Sequence, residues 1–450
     1  MNALDPTVDP RALGRAQGIL AALPEGGLFH EKSWRVSPDP FPITPEFHKR
    51  LEKLGHQLTV FVKACAQLYR TSVDGRQPPW IAGLLDRGKP RELIEIQRNK
   101  LFANDIPRVL RPDLILTEKG FTIAELDSVP GGIGLTAWLG KSYAPHHPGV
   151  IGGPTGMLEG FESVMSSGDI VVSEEASTYR PEMEWLAQAL EGLRGTPGRW
   201  RVVDASQRDD WAPQVYRFFE LFDLANVPCA PDLIQRASAG HLSLTPPLKP
   251  ALEEKLWFAL FWLKPLEAFW VRALGEGTYK ALHEVIPQTW LLDPQPLPPH
   301  AVIPGLEIHS WDEALKFSQK QRDLILKISG FSETAWGSRG VFLGSDLPSQ
   351  EWAAELKRAL SLWPTAPHIL QRFHHSRLFH HPVYQPLTEK IENQRFRVRL
   401  CPYYFVTPEK TQLGGALATL CPDDKKLLHG MPDAVLVPTS VEAGDSSEAA

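Results

Sequence analysis

The stretch RPDLILTEKGFTIAELDS, residues 111–128, narrows the fold more than any other segment. Leu114-Ile115-Leu116 and Phe121-Thr122-Ile123-Ala124 read as strands flanking Glu118-Lys119-Gly120, a short loop ending in glycine, so a tight antiparallel hairpin is expected. If the loop centres on Lys119, Asp113 lies opposite Glu125 and Arg111 opposite Asp127. Residues two apart share a face, which puts all four charged groups on one surface. Leu114, Leu116, Ala124 and Leu126 line the other surface and can enter a core. Two carboxylates about 5 Å apart repel by on the order of 3 kcal/mol at an effective dielectric near 20. Arg111 can neutralise one of them, whereas a hard divalent cation such as Mg²⁺, with phosphate oxygens completing its shell, suits all three. An exposed hairpin of shifted register, its acids simply solvated, is the plain alternative.

A chain of 450 residues, 43% hydrophobic and 22% charged, can bury a large core and divide into two or three lobes. Its net charge of -6, with no basic run interleaved with aromatics, argues against nucleic acid or anionic membrane as a partner. The N-terminus lacks a basic segment followed by an apolar one, so no secretory signal is read and a cytoplasmic location is expected. KLWFALFWLKPLEAFWV is the most apolar run. Lys264, Pro265 and Glu267 interrupt it, which predicts a pair of buried helices and not a membrane span. Cys65, Cys229, Cys401 and Cys421 are scattered without a CxxC pair and read as reduced structural thiols.

Along the chain, ITPEFHKRLEKLGHQLTVFVKACAQLY opens on a Thr-Pro-Glu start signal and repeats apolar residues at helical spacing. DIVVSEEASTYRPEMEWLAQALEGL followed by RWRVVDA reads as strand, helix, strand. LILKISG, GVFLGS and HILQRF read as short strands, and the proline-rich LTPPLKP and LLDPQPLPP as loops or boundaries. The expected organisation is a mainly helical region at 1–110, the carboxylate hairpin and an α/β substrate lobe at 111–245, a nucleotide-binding lobe at 246–438 and a disordered tail at 439–450.

Lys327 stands in the apolar LILKISG, ahead of a loop holding Gly337 and Gly340. Such a lysine and loop can cradle nucleotide phosphates, although an edge-strand lysine beside an ordinary turn fits equally and the spacing is not that of a GxxxxGK[ST] loop. Gly131-Gly132-Ile133-Gly134 does not follow the GxGxxG spacing and reads as a turn near the acids. His374, His375, His380 and His381 in FHHSRLFHH have no spacing that fixes a transition metal. Paired acids also suit a glycosidase, but lysines accompanied by glycines point to phosphate.

These residues resemble the glutathionylspermidine synthase-like, circularly permuted ATP-grasp ligases. That family carries R-x-D and, twelve residues after the aspartate, E-x-N; here Arg111-Pro112-Asp113 is followed by Glu125-Leu126-Asp127. Tyr279-Lys280-Ala281-Leu282, with Ile286-Pro287 and Leu291-Leu292 beyond it, looks like the family's N-K-A-L-L helix and F-P-x-x-x-x-L-L stretch. Lys327 with GSRGV resembles its K-P-x-x-G-R-x-G loop, and Ile369-Leu370-Gln371-Arg372-Phe373 its Y-x-Q-x-F hinge. Asp127 departs from the usual asparagine, the loop after Lys327 is longer, and the family's C-terminal arginine corresponds to Arg397 or Arg399.

The resemblance implies an α+β chain with α/β elements, an ATP-grasp fold with a helical N-terminal region and a pre-ATP-grasp-like α/β lobe. It implies ATP and Mg²⁺ as cofactors, with Asp113, Glu125 and Asp127 on the metal. Lys280 and Lys327 would bind ATP phosphates with Gly337 and Gly340, and the main chain near Gln371 would meet the adenine. Arg111 and Lys327 would be catalytic. The implied reaction is a carboxylate–amine ligation through an acyl phosphate, its partners a small-molecule or peptide carboxylate and an amine. A nucleotide-binding pseudoenzyme or scaffold, or a phosphotransferase that forms no amide, would keep the same residues.

Overall fold

The computed structural model describes residues 11–29, 33–206, 210–335, 339–430 and 432–442. The chain begins with α1 (Ala12–Ala21), β1 (Phe41–Ile43), α2 (Pro45–Val73), α3 (Pro79–Leu85) and α4 (Arg91–Arg98). The hairpin β2 (Val109–Thr117) and β3 (Gly120–Asp127) leads to α5 (Ile133–Tyr143) and α6 (Gly156–Val164). An α/β unit follows: β4 (Gly168–Val172), α7 (Arg180–Arg194), β5 (Trp200–Asp204), β6 (Gln214–Phe218), α8 (Ala230–Ser238) and β7 (Ser243–Thr245). Next come α9 (Leu256–Trp262), α10 (Glu267–Leu274), α11 (Glu276–Val285), β8 (Thr289–Leu291), α12 (Trp311–Ala314), β9 (Leu324–Ile328), β10 (Val341–Leu343), α13 (Ser349–Ser361) and β11 (His368–Arg372). The long strands β12 (Leu378–Gln385), β13 (Lys390–Val406), β14 (Thr411–Pro422) and β15 (Val435–Val441) close the described chain.

Three sheets organise these elements. The largest runs β1-β15-β14-β13-β2-β3, with β12 also paired to β13. Its first strand comes from the N-terminal stretch and pairs in parallel with β15 near the other end of the described chain. A second sheet, β5-β4-β6-β7, is wholly parallel, as strand–helix–strand units require. The third, β10-β9-β11-β8, is antiparallel and contains all three short strands expected near Lys327.

Helix α2 forms where its start signal placed it. The Thr44 hydroxyl accepts from the Phe47 N–H at 3.2 Å, and Pro45 occupies the first turn, where a missing N–H costs nothing. Leu51, Leu54, Leu58, Phe61, Cys65 and Leu68 form one buried stripe along it. That stripe covers one face of the large sheet, where the Tyr404 hydroxyl donates to Leu51 O at 2.6 Å. Tyr403 and Phe405 point to the other face, against Gly132 before α5 and Gly160 of α6. The apolar run at 255–271 folds as α9 and α10 around a short turn at Lys264–Leu266. Among the described residues no helix is long and apolar enough to cross a membrane.

The hairpin differs from expectation in two places. Thr117 pairs with Gly120, so the loop is only Glu118-Lys119, with Gly120 at φ +123°. Leu114 pairs with Ile123, not Ala124, and a bulge between Asp113 and Leu114 leaves Ala124 without a cross-strand partner. Ile123 therefore takes the fully buried position expected of Ala124. At the C-terminus, β15 runs through Val441, inside the tail expected from 439, and 443–450 lie outside the described residues.

Gly55 gives a test of the α2 packing. A Cβ there would come within 2.3 Å of the Tyr404 ring, whereas glycine-to-alanine in an open helix gains about 1 kcal/mol. Gly55→Ala is expected to lower stability by about 1–3 kcal/mol, read as a fall in urea midpoint; a gain would show that Tyr404 is not fixed by its bond to Leu51.

Candidate functional site: a charged ladder facing two lysines

The registers of three strands build the site. Asp113 faces Glu125 and Arg111 faces Asp127 across the hairpin, since the bulge restores beyond Ala124 the pairing the shorter loop had shifted. On the other side of β2, Arg399 pairs with Ile115 and Tyr404 with Leu110, one continuous register that puts Cys401 across from Asp113 and Tyr403 across from Arg111. Charged and polar groups from β3, β2 and β13 thus share one surface.

Asp113 lies at its centre. Its Oδ1 accepts from Arg111 Nε at 3.0 Å and is met by Cys401 Sγ at 3.4 Å, while Oδ2 accepts from Arg399 at 2.9 Å. Burial alone would raise the pKa of this carboxyl; the guanidinium groups of Arg111 and Arg399 outweigh it and hold the pKa below its usual value. Arg111 also pairs with Asp127 at 2.9 Å and donates to Gly131 O at 3.0 Å. Asp127 further accepts the Val129 N–H at 2.9 Å, and burial raises its pKa against the pull of Arg111. Of the two arginines left open by the sequence, Arg399 reaches the site; Arg397 is spent on the carbonyls of Ser376 and Asp423.

Two lysines approach β3 from outside the sheet. The Lys327 ammonium, on β9, donates to Ala124 O at 2.8 Å and Gln371 Oε1 at 2.9 Å. The bulge supplies that carbonyl. Burial lowers the Lys327 pKa to about 8, opposed by the Glu125 charge and reinforced by Lys255. Lys255, just before α9, pairs with Glu125 Oε1 at 2.8 Å and donates to Ala335 O at 3.2 Å. Burial works against its charge, but Glu125 prevails and its pKa rises. Nothing in the sequence around Lys255 marks it as a partner of Glu125.

Several expectations need correction. Lys280 does not join the ladder: its side chain is 73% exposed and its ion pair, at 3.6 Å, is to Glu276 of the same helix. The side chain of Gln371 orients Lys327 while donating to Thr289 at 3.2 Å, and its main chain lies in a strand paired on both edges, by β9 and β8, which leaves no free edge for an adenine. Gly340 forms the turn into β10, where Ile328 N–H donates to its carbonyl at 3.3 Å; Gly337 lies outside the described residues. Asp113, Glu125 and Asp127 are not gathered around a vacant centre. Each is tied to a cation, and among the described residues no group of three or more His, Cys, Asp or Glu side chains is placed to hold a metal ion. The histidines of 373–381 are likewise dispersed, with buried His381 at 3.0 Å from Ser37 and exposed His375 at 3.3 Å from Asp323.

The glycine turn is also occupied. Gly132 adopts φ +88° ahead of α5, and Glu182 of α7, fully buried, accepts from the N–H groups of Gly132 at 3.3 Å and Leu135 at 2.9 Å. The Tyr403 hydroxyl donates to Gly131 O at 2.7 Å.

Two outcomes are expected from this geometry. Asp113→Asn leaves the buried Arg399 guanidinium without its carboxylate and Arg111 with Asp127 alone, and is expected to cost on the order of 3–5 kcal/mol in urea unfolding, whereas Glu125→Gln, at a carboxylate 38% exposed, leaves Lys255 unpaired and is expected to cost about 1–2 kcal/mol. Equal costs would contradict the central place of Asp113. Lys327 has a folded pKa below its unfolded one, so between pH 8 and 10 the unfolded chain binds more protons and folding stability gains from this group as pH rises. Relative to Lys327→Met, the parent is expected to gain up to about 1.4 kcal/mol per pH unit over that range in parallel denaturant titrations; parallel curves would contradict the buried charge.

No family model matches this sequence, and neither does any curated protein. Among solved structures, the apo form of a glutathione synthetase-like effector from Globodera pallida superposes with a TM-score of 0.57 at 10% identity, over 98% of this chain and 100% of that one. A protein from Methylobacillus flagellatus assigned as a gamma-glutamylcysteine synthetase gives a TM-score of 0.41 at 11% identity, over 85% of this chain and 88% of that one. The chain shares the α+β, ATP-grasp-like fold of that effector.

Proposed function

We propose that the protein is an ATP- and Mg²⁺-dependent ligase of the glutathionylspermidine synthase-like kind, joining a small-molecule or peptide carboxylate to an amine through an acyl phosphate. The observation that carries this reading is the pair of buried ammonium groups, Lys327 on Ala124 O and Lys255 on Glu125, set against the charged ladder. Four cations, Arg111, Arg399, Lys255 and Lys327, stand there among Asp113, Glu125 and Asp127, and Glu220 also faces Lys255. What favours an anionic ligand is that both ammonium groups are buried and already held in place.

The residues fit the cofactors in part. Mg²⁺ takes one or two carboxylates plus phosphate oxygens. Glu125, with one oxygen free of Lys255, offers one such ligand; Asp113 and Asp127 each have both oxygens engaged and would have to exchange a partner to add another. When bound, Mg·ATP supplies the phosphoryl group and neutralises its developing charge. Lys327, already fixed by two acceptors, stabilises phosphoryl oxygens without reorganising. Arg111 and Arg399 hold Asp113 so that the ladder keeps its shape. Ligation would then rest on positioning and electrostatics.

A second reading, a nucleotide-binding protein without turnover, is favoured by one fact: every ladder carboxylate already has a cation of its own chain. A panel of carboxylates and amines, scored by ADP release and product mass, separates the two. ADP with an amide product supports the ligase; ADP with a phosphorylated product supports a phosphotransferase; bound ATP without ADP supports the second reading. Under turnover, Lys327→Met is expected to reduce the rate by about a hundredfold or more. A rate equal to the parent's would remove Lys327 from the chemistry.

A further inference from the structure

We infer that Lys255, not Lys280, is the second phosphate-contacting ammonium of this site; the inference rests on the nucleotide reading above and assigns a further residue to it. Lys327 and Lys255 come from different elements and converge on consecutive residues of one strand, the first on the Ala124 carbonyl at 2.8 Å, the second on the Glu125 carboxylate at 2.8 Å. Each engages two acceptors, and an ammonium has three N–H groups, so each keeps a donor for a ligand. Glu125 faces both charges, with Glu220 and Asp127 also acting on Lys255 and Asp113 on Lys327. A polyphosphate, whose adjacent groups carry oxygens in several directions, is the chemical class that can bridge two such donors.

Position decides between the candidates. The Lys255 side chain is 12% exposed and held by the Glu125 carboxylate and the Ala335 carbonyl, so its conformational freedom is already lost and its charge acts in a poorly solvated crevice. Lys280 is held only by an exposed pair on its own helix, an arrangement that solvent screens and that contributes little. Recruiting it would require ordering a long side chain from solvent.

The competing view is that Lys255 merely ties α9 to the hairpin. Calorimetric titration of the full chain with ATP and with inorganic tripolyphosphate, both in chelator, distinguishes the two, provided each variant keeps the parent's circular dichroism and urea transition. Lys255→Met is expected to weaken both ligands at least tenfold, Lys255→Arg to recover most of the loss, and Lys280→Met to stay within twofold. Glu125→Gln deletes the ion pair but keeps the ammonium, so it is expected to retain or tighten binding. Loss in Glu125→Gln equal to that in Lys255→Met would show a structural tie and overturn the inference. So would parent-like binding by Lys255→Met, with or without loss at Lys280. A parent protein that binds neither ligand, with or without added Mg²⁺, would overturn the nucleotide reading and this inference together, whereas a parent that binds ATP only when Mg²⁺ is added, or a binding parent with an unaffected Lys255→Met protein, overturns the inference alone.

Discussion

The carboxylate of Asp113, enclosed by Arg111 and Arg399, is the interaction on which the rest of the site hangs. A lone carboxylate there would be untenable, and two lone guanidinium groups equally so; together they are stable because each charge finds a hydrogen-bonded partner. The arrangement ties β2 to β13 by side chains as well as by the ladder. Through Arg111 it extends to Asp127 of β3 and to the carbonyl of Gly131, which fixes the turn entering α5. The shape of the hairpin's end, and so the placing of Glu125 and Ala124, follows from this one charge network.

Much of this was legible in the hairpin sequence, though for an incomplete reason. Alternation and a short glycine loop gave the facing of Asp113 with Glu125 and of Arg111 with Asp127. The true loop is one residue shorter, and the bulge at Ala124 adds that residue back, so two departures cancel at the acids while Ile123 and Ala124 exchange places in the core. Bulges depend on what the strand must reach across the fold, and here the carbonyl left without a strand partner receives Lys327 from another sheet. No local pattern encodes that. The capped helix α2 and the strand–helix–strand unit were legible because their signals are local: a Thr-Pro-Glu start and periodic apolar residues.

What the sequence concealed are pairings over long separations. Glu125 meets Lys255, and Asp113 meets Arg399; neither cation stands in a spacing that announces its partner. Lys280 illustrates the converse. It sits in a motif-like helix, yet its side chain faces solvent, because motif position fixes the backbone element and not the direction in which a surface side chain extends.

The source of any anion affinity can then be located by elimination among physical devices. Helix N-termini and glycine turns are common anion sites, and the PGGIG turn before α5 has both features. Here the buried Glu182 carboxylate already accepts from Gly132 and Leu135, so the partial positive end of α5 is satisfied internally and a phosphate would meet a like charge. The Tyr403 hydroxyl, packed where a Gly132 side chain would stand, closes the turn further. The N–H groups of Gly132 and Leu135 are therefore withdrawn from ligand binding. Under the proposed function, attraction for phosphate comes instead from side-chain cations that are buried and held in place, and at the crevice between the large sheet and β9 those are Lys327 and Lys255.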